Sequence, residues 1–185
     1  MSQNQVMHPD CSEIVITKEM LEKRVAELGQ EITEEYRGKD LICLGLLKGS
    51  FVFMADLVRN IDLDLETQFM SVSSYGASAN SSGNIKINLD IKADLCGKHV
   101  LIVEDILDTG ATLYYIRELI RLRGPESVKI VTLLNKHSRR KANIEPDFAG
   151  FELTSDDFII GYGLDYAEKY RNLPYIGILK PELHD

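Results

Sequence analysis

The chain has 185 residues, about the size of one domain, and with 44% hydrophobic residues and no tryptophan its core must be largely aliphatic. Lys and Arg number 21 against 29 Asp and Glu, a net charge of −8, which repels phosphate backbones over long range and makes nucleic acid a poor partner. No apolar run approaches the roughly 18–20 residues that cross a bilayer, and three scattered cysteines without a CxxC pair argue against a zinc site and fit a reducing compartment.

Residues 1–12 read as a loose polar lead without the apolar core of a signal peptide, so a cytoplasmic protein is expected. A helix is predicted after Thr17, with Met20, Leu21, Val25, Leu28 and Ile32 at its apolar positions and Gly38 as its stop. Residues 41–47 are a short continuous apolar run, as in a strand buried on both faces, and Cys43 inside it reads as a buried thiol. Lys48-Gly49-Ser50 turns the chain into a helix reaching about Arg59, with Ser50 as the candidate cap. Residues 68–73 alternate as a strand, residues 74–84 are small and polar and read as a mobile loop, and Ile85, Ile87 and Leu89 mark a strand that hairpins back. The next apolar strand, 99–103, is followed by the turn Asp108-Thr109-Gly110. A helix then carries Leu113, Ile116 and Ile120 on one face and ends at Gly124-Pro125. Residues 128–134, 158–160 and 175–179 complete the predicted strands, and a basic loop spans 136–141. This alternation predicts an α/β fold, a central mainly parallel sheet flanked by helices, with ligands beyond the carboxyl ends of the strands. No repeat or linker divides it, so 1–185 is expected to be a single domain.

The most informative segment is VLIVEDILDTGATL at residues 100–113. A buried strand ends in Glu104 and Asp105, and Asp108 opens a turn of Thr109-Gly110-Ala111-Thr112 at a helix start. Free N–H groups there form an anion site, the threonine hydroxyls add donors, and glycine permits close approach. Acids beside a phosphate site make sense when a cation such as Mg²⁺ and sugar hydroxyls offset the repulsion. The segment is not a P-loop, because GxxxxGK[ST] is absent. The bland reading is a capped helix beside solvated acids. Three acids with Thr-Gly-x-Thr behind an apolar strand argue instead for a phosphosugar site.

This segment resembles the ribosyl-pyrophosphate motif of the type I phosphoribosyltransferases. Leu47-Lys48-Gly49-Ser50, Ser74-Tyr75-Gly76, Leu134-Asn135-Lys136, residues 157–165 (DFIIGYGLD) and Arg171 keep the order and spacing of the hypoxanthine-guanine branch from about residue 13 to 179. The resemblance implies a small hood built from the chain ends, a lid loop over 74–84 beginning at Ser74 and Tyr75, and a homodimer or homotetramer. It implies transfer of a phosphoribosyl group from 5-phospho-α-D-ribosyl 1-pyrophosphate to N9 of a purine base, with Mg²⁺ as cofactor. Asp108 matches the proton acceptor facing purine N7, and Asp108, Thr109, Gly110, Ala111 and Thr112 match the 5′-phosphate site. Ala111 stands where some relatives carry lysine. Glu104 and Asp105 match the ribose and metal-side acids, and Asp165 a second metal-side carboxylate near the base. Lys48, Gly49 and Arg171 match pyrophosphate ligands, in a loop where the family carries a cis peptide. Ser50 replaces the second glycine common in that loop. Lys136 matches the lysine that donates to purine O6, which favours 6-oxopurines over adenine. Phe158 would stack on the base and the Ile159 backbone reach its edge. Taken alone, Lys136 is a surface lysine in a basic run, Phe158 is core, and Asp165 and Arg171 are ordinary surface charges. A xanthine-preferring enzyme and a nucleotide-sensing regulator of the same fold are the competing readings.

Overall fold

The computed structural model of the chain describes residues 6–74 and 85–184. In chain order its elements are β1 (Cys11–Ile16), α1 (Lys18–Tyr36), β2 (Leu41–Leu47), α2 (Phe51–Arg59), β3 (Leu65–Ser74), β4 (Ile85–Leu89), β5 (His99–Leu107), α3 (Ala111–Arg121), β6 (Ser127–Lys136), β7 (Phe148–Leu153), β8 (Ile159–Ile160) and β9 (Ile176–Leu179). A 3₁₀ turn, Pro181–Leu183, follows β9. Six strands form the main sheet in the order β4-β3-β2-β5-β6-β7. All its pairings are parallel except β3 with β4, a hairpin. A second sheet, β1-β9-β8, is antiparallel and joins the two ends of the chain into a hood.

Strand alternation divides the core. Leu41 and Cys43 of β2, with Leu101, Val103, Val131 and Leu133, pack with Leu21, Val25, Leu28 and Ile32 of α1 and Phe53 and Leu57 of α2. Ile42, Leu44 and Leu46, with Val100, Ile102 and Ile130, pack with Leu113, Ile116 and Ile120 of α3. Strand residues point alternately to opposite faces, so a strand buried on both reads as unbroken apolar sequence. Each aliphatic side chain so buried contributes about 1.5–3 kcal/mol.

Three local expectations change. Thr17 caps α1, its Oγ1 accepting from the Met20 N–H at 3.3 Å, but Ser50 does not cap α2. The Ser50 hydroxyl instead donates to the Leu46 carbonyl at 2.6 Å, bracing the turn rather than the helix start. The lead is not loose to residue 12. Cys11 opens β1 opposite Leu179 and is 1% exposed, because the hood supplies a partner strand that local sequence cannot reveal. β7, absent from the predicted strands, pairs with β6 at the sheet edge. Its FAGFEL sequence is half-buried nearly throughout and lacks an apolar–polar rhythm. Of the expected lid, Ser74 ends β3, whereas Tyr75 and residues 76–84 lie outside the described residues.

Candidate active site

Parallel pairing sets the ends of β2, β5 and β6 side by side, with Leu107 level with Asn135. β5 runs past its two acids to Leu107, so Glu104 and Asp105 lie within the strand rather than after it. Asp105 is buried. Burial, and then the charge of Asp105, pushes the Glu104 carboxyl well above the usual carboxylate range. A hollow of about 130 Å³ lies at this end of β5, lined by Glu104, Asp108, Thr109, Gly110 and Thr112 among others. Ala111 is the first residue of α3 and does not line it. Gly110 takes φ +79° at the helix start, and a Cβ there would lie 2.6 Å from Ile144, so both conformation and space require glycine.

Asp108 does not cap α3, whose N-cap is Gly110 without a side-chain bond. One of its oxygens, Oδ2, is 3.5 Å from Arg139 Nη1. The other, Oδ1, is buried without a hydrogen-bond partner. An unsatisfied buried carboxylate oxygen costs free energy and is suited to accept a proton or a donor from a bound molecule.

On the other side of β5, the Leu47–Lys48 peptide is cis. Gly49 lies against the Asp105 carboxylate, which a Cβ would overlap, and its carbonyl lies against Gly163 of the hood. The hood loop is held by Arg171. Its guanidinium donates to the Gly163 carbonyl at 2.7 Å and pairs with Asp165 at 2.9 Å. Asp165 also accepts from the Glu168 N–H at 2.9 Å. Lys48 pairs with Glu168 at 3.0 Å, and Arg171 lies 3.6 Å from the same carboxylate. The Lys48 ammonium, with Arg171 adding to it, holds the Glu168 carboxyl below its usual range. Glu168 thus sits between two cations expected to bind pyrophosphate. Sequence reasoning missed it, since one exposed glutamate carries no pattern.

Lys136 ends β6 and is only 6% exposed, so it is not a solvated member of the basic run. A buried ammonium needs a partner, and its nearest is Asp156 Oδ1 at 3.7 Å. The Ser138 hydroxyl donates to that same oxygen, and this bond with the Lys136 and Arg139 charges lowers the Asp156 carboxyl. Asp156, also missed from sequence, stands two residues before Phe158. Phe158 is 39% exposed rather than core. Its ring meets the edge of Tyr166 and stacks on His184 at 5.1 Å. Ile159 is half-buried in β8, paired with Ile178.

Glu104 and Asp105 fit a hard cation. Two adjacent carboxylates, one driven toward neutrality by burial and by the other, would both be relieved by positive charge. Mg²⁺ characteristically takes one or two carboxylates and completes its shell with water and substrate oxygens. Among the described residues, no group of three or more such side chains could hold a metal. Asp165 therefore does not join Glu104 and Asp105 in a preformed cage. A larger hollow of about 650 Å³ lies between α1, α2 and the hood and reaches these residues only through Glu168 and Arg171.

The phosphoribosyl transferase domain model matches residues 13–167. The chain is similar to hypoxanthine-guanine phosphoribosyltransferase of Bacillus subtilis strain 168, with 52% identity over 97% of this chain and 99% of the relative. It is 50% identical to the bifunctional protein TilS/HprT of Listeria innocua over 98% of its own length, which spans 28% of that protein. A crystal structure of a hypoxanthine phosphoribosyltransferase from Staphylococcus aureus superposes with a TM-score of 0.93 at 49% identity, covering all of both chains.

Proposed function

The chain belongs to the phosphoribosyl transferase domain family, and from that premise we propose that it makes purine nucleotides by salvage. It transfers the 5-phosphoribosyl group of 5-phospho-α-D-ribosyl 1-pyrophosphate to N9 of hypoxanthine or guanine, giving IMP or GMP. The N9–C1′ bond forms as the bond from C1′ to pyrophosphate oxygen breaks, and the base gives up one proton. Residues 108–112 hold the 5′-phosphate, and Glu104 and Asp105 hold the ribose hydroxyls and favour the positive charge that develops on the sugar. Asp108 takes the proton through N7, a role supported by its unpartnered oxygen. Lys48, Gly49 and Arg171 bind pyrophosphate, Phe158 stacks on the base, and the Ile159 backbone reads its edge. Mg²⁺, when bound near Glu104 and Asp105 and on the side of Asp165, supplies charge neutralisation to the leaving pyrophosphate.

The observation that carries the choice of base is the buried Lys136 ammonium at the end of β6. A charged donor there satisfies a purine O6, whereas the amino group of adenine offers it no acceptor. The reading takes 1–185 as one domain, active as a homodimer or homotetramer. It places the enzyme in the cytoplasm, in keeping with three unpaired cysteines. The test is turnover of the purified chain with the pyrophosphorylated donor, Mg²⁺ and each base in turn. Hypoxanthine and guanine should give the highest kcat/KM and adenine none. EDTA should abolish turnover and excess Mg²⁺ restore it. Preference for xanthine, or binding without turnover, would refute the reading.

A further inference from the structure

Arg140 belongs to the basic run 136–141, yet its side chain is only 11% exposed and its guanidinium faces inward. Nε donates to the Asp108 carbonyl at 2.9 Å, and Nη2 to the Leu107 carbonyl at 3.2 Å. Nη2 also donates to Asn135 Oδ1 at 2.6 Å and approaches the Lys136 carbonyl at 3.4 Å. Nη1 donates to the Ile144 carbonyl at 2.5 Å and pairs with Glu145 at 3.1 Å. The next carbonyl of the turn, Thr109, accepts from the N–H groups of Lys141 and Ala142 at 2.9 and 3.1 Å. Three successive carbonyls, 107 to 109, are thus engaged from one side. In a trans peptide the C=O and the following N–H point opposite ways. Fixing those carbonyls turns the N–H groups of 108 to 110 away from Arg140. The same planar group grips the last two residues of β6, the second of which is Lys136.

We propose that Arg140 is a positioning residue that sets the separation between the phosphate turn and the base-reading lysine, so that the site recognises a nucleotide as one unit. This rests on the function proposed above. A guanidinium can do this because its donors lie in a rigid plane, and the point charge of a lysine cannot. Calorimetric titration of the full chain with ribose 5-phosphate, which reaches the turn and the ribose acids but not Lys136, and with IMP, which spans the turn and Lys136, tests it. Misplacement by about 1 Å can cost about 100-fold, so Arg140→Lys should weaken IMP by roughly 10- to 100-fold and ribose 5-phosphate by no more than about 3-fold. Asn135→Ala removes the stronger Arg140 bond to β6, along with the Asn135 contacts to Glu152 and His137, and leaves the bonds to the turn in place. It should weaken IMP while leaving ribose 5-phosphate within about 2-fold. It also carries the test should Arg140→Lys fail to fold. Equal losses for both ligands, or IMP binding unmoved in the folded variants, would overturn the proposal. An unaltered chain that does not bind IMP is a different failure, that of the enzymatic reading itself.

Discussion

At the scale of single residues, Asp108 has the most exposed consequences. Its Oδ1 is buried without a partner, and its other oxygen has only a 3.5 Å contact with Arg139. In the role proposed for it, such an acceptor acts mainly when the purine gives up its proton. Asp108→Asn should therefore lower kcat by about 10²–10⁴ while the donor KM moves little, as steady-state kinetics will show. A variant that loses donor binding and keeps kcat would reassign Asp108 to the phosphate site alone. Asp108 is singled out by the acid-rich turn after its apolar strand, whereas Lys136 is singled out only by the family resemblance, since alone it reads as one of a basic run. Arg140 is singled out by neither. Residues 136–141 include four cations, Lys136, Arg139, Arg140 and Lys141, and composition cannot say which of them turns inward. Asp156 and Glu168 were hidden for the same reason. Their value lies in facing Lys136 and Lys48 across the fold.

At the scale of elements, the contact of the β2–α2 loop with β5 is the tightest link between parts of the site. Gly49 fits only because it has no side chain, since a Cβ there would overlap the Asp105 carboxylate, while its carbonyl lies where a side chain on Gly163 would have to go. Gly49→Ala should push the Asp105 carboxylate away. We expect a donor KM raised by at least about 10-fold with the melting temperature lowered by only a few degrees, about 1–3 kcal/mol of overpacking. Unchanged donor kinetics would show that the loop has room to yield. The strands that carry chemistry were legible because β2, β5 and β6 are buried on both faces and read as apolar runs. β7 was not. It lies at the edge of the sheet, and Arg24 of α1 donates to the carbonyls of Ala149 and Gly150 at 2.8 and 3.1 Å. Such capping of an edge depends on a helix more than a hundred residues earlier in the chain.

At the scale of the whole molecule, the parallel sheet closes between near neighbours in sequence, such as His99 opposite Ser127, whereas the hood closes across almost the entire chain. The His8 N–H donates to the Tyr175 hydroxyl over a separation of 167 residues. Contacts between distant segments form late, since the entropy of closing a long loop precedes any gain from it. Two thiols can time the events. Cys43 lies in β2, where burial pushes its thiol up to about 12. Cys11 lies in the hood, where burial also raises its pKa. Pulsed alkylation during refolding should show Cys43 protected before Cys11, and simultaneous protection would mean that hood and sheet form as one. Arg171 and Asp165 ride on the hood loop, so a refolding population should pass through a stage with a finished scaffold and a half-built catalyst, and its first turnover should lag behind its first secondary structure.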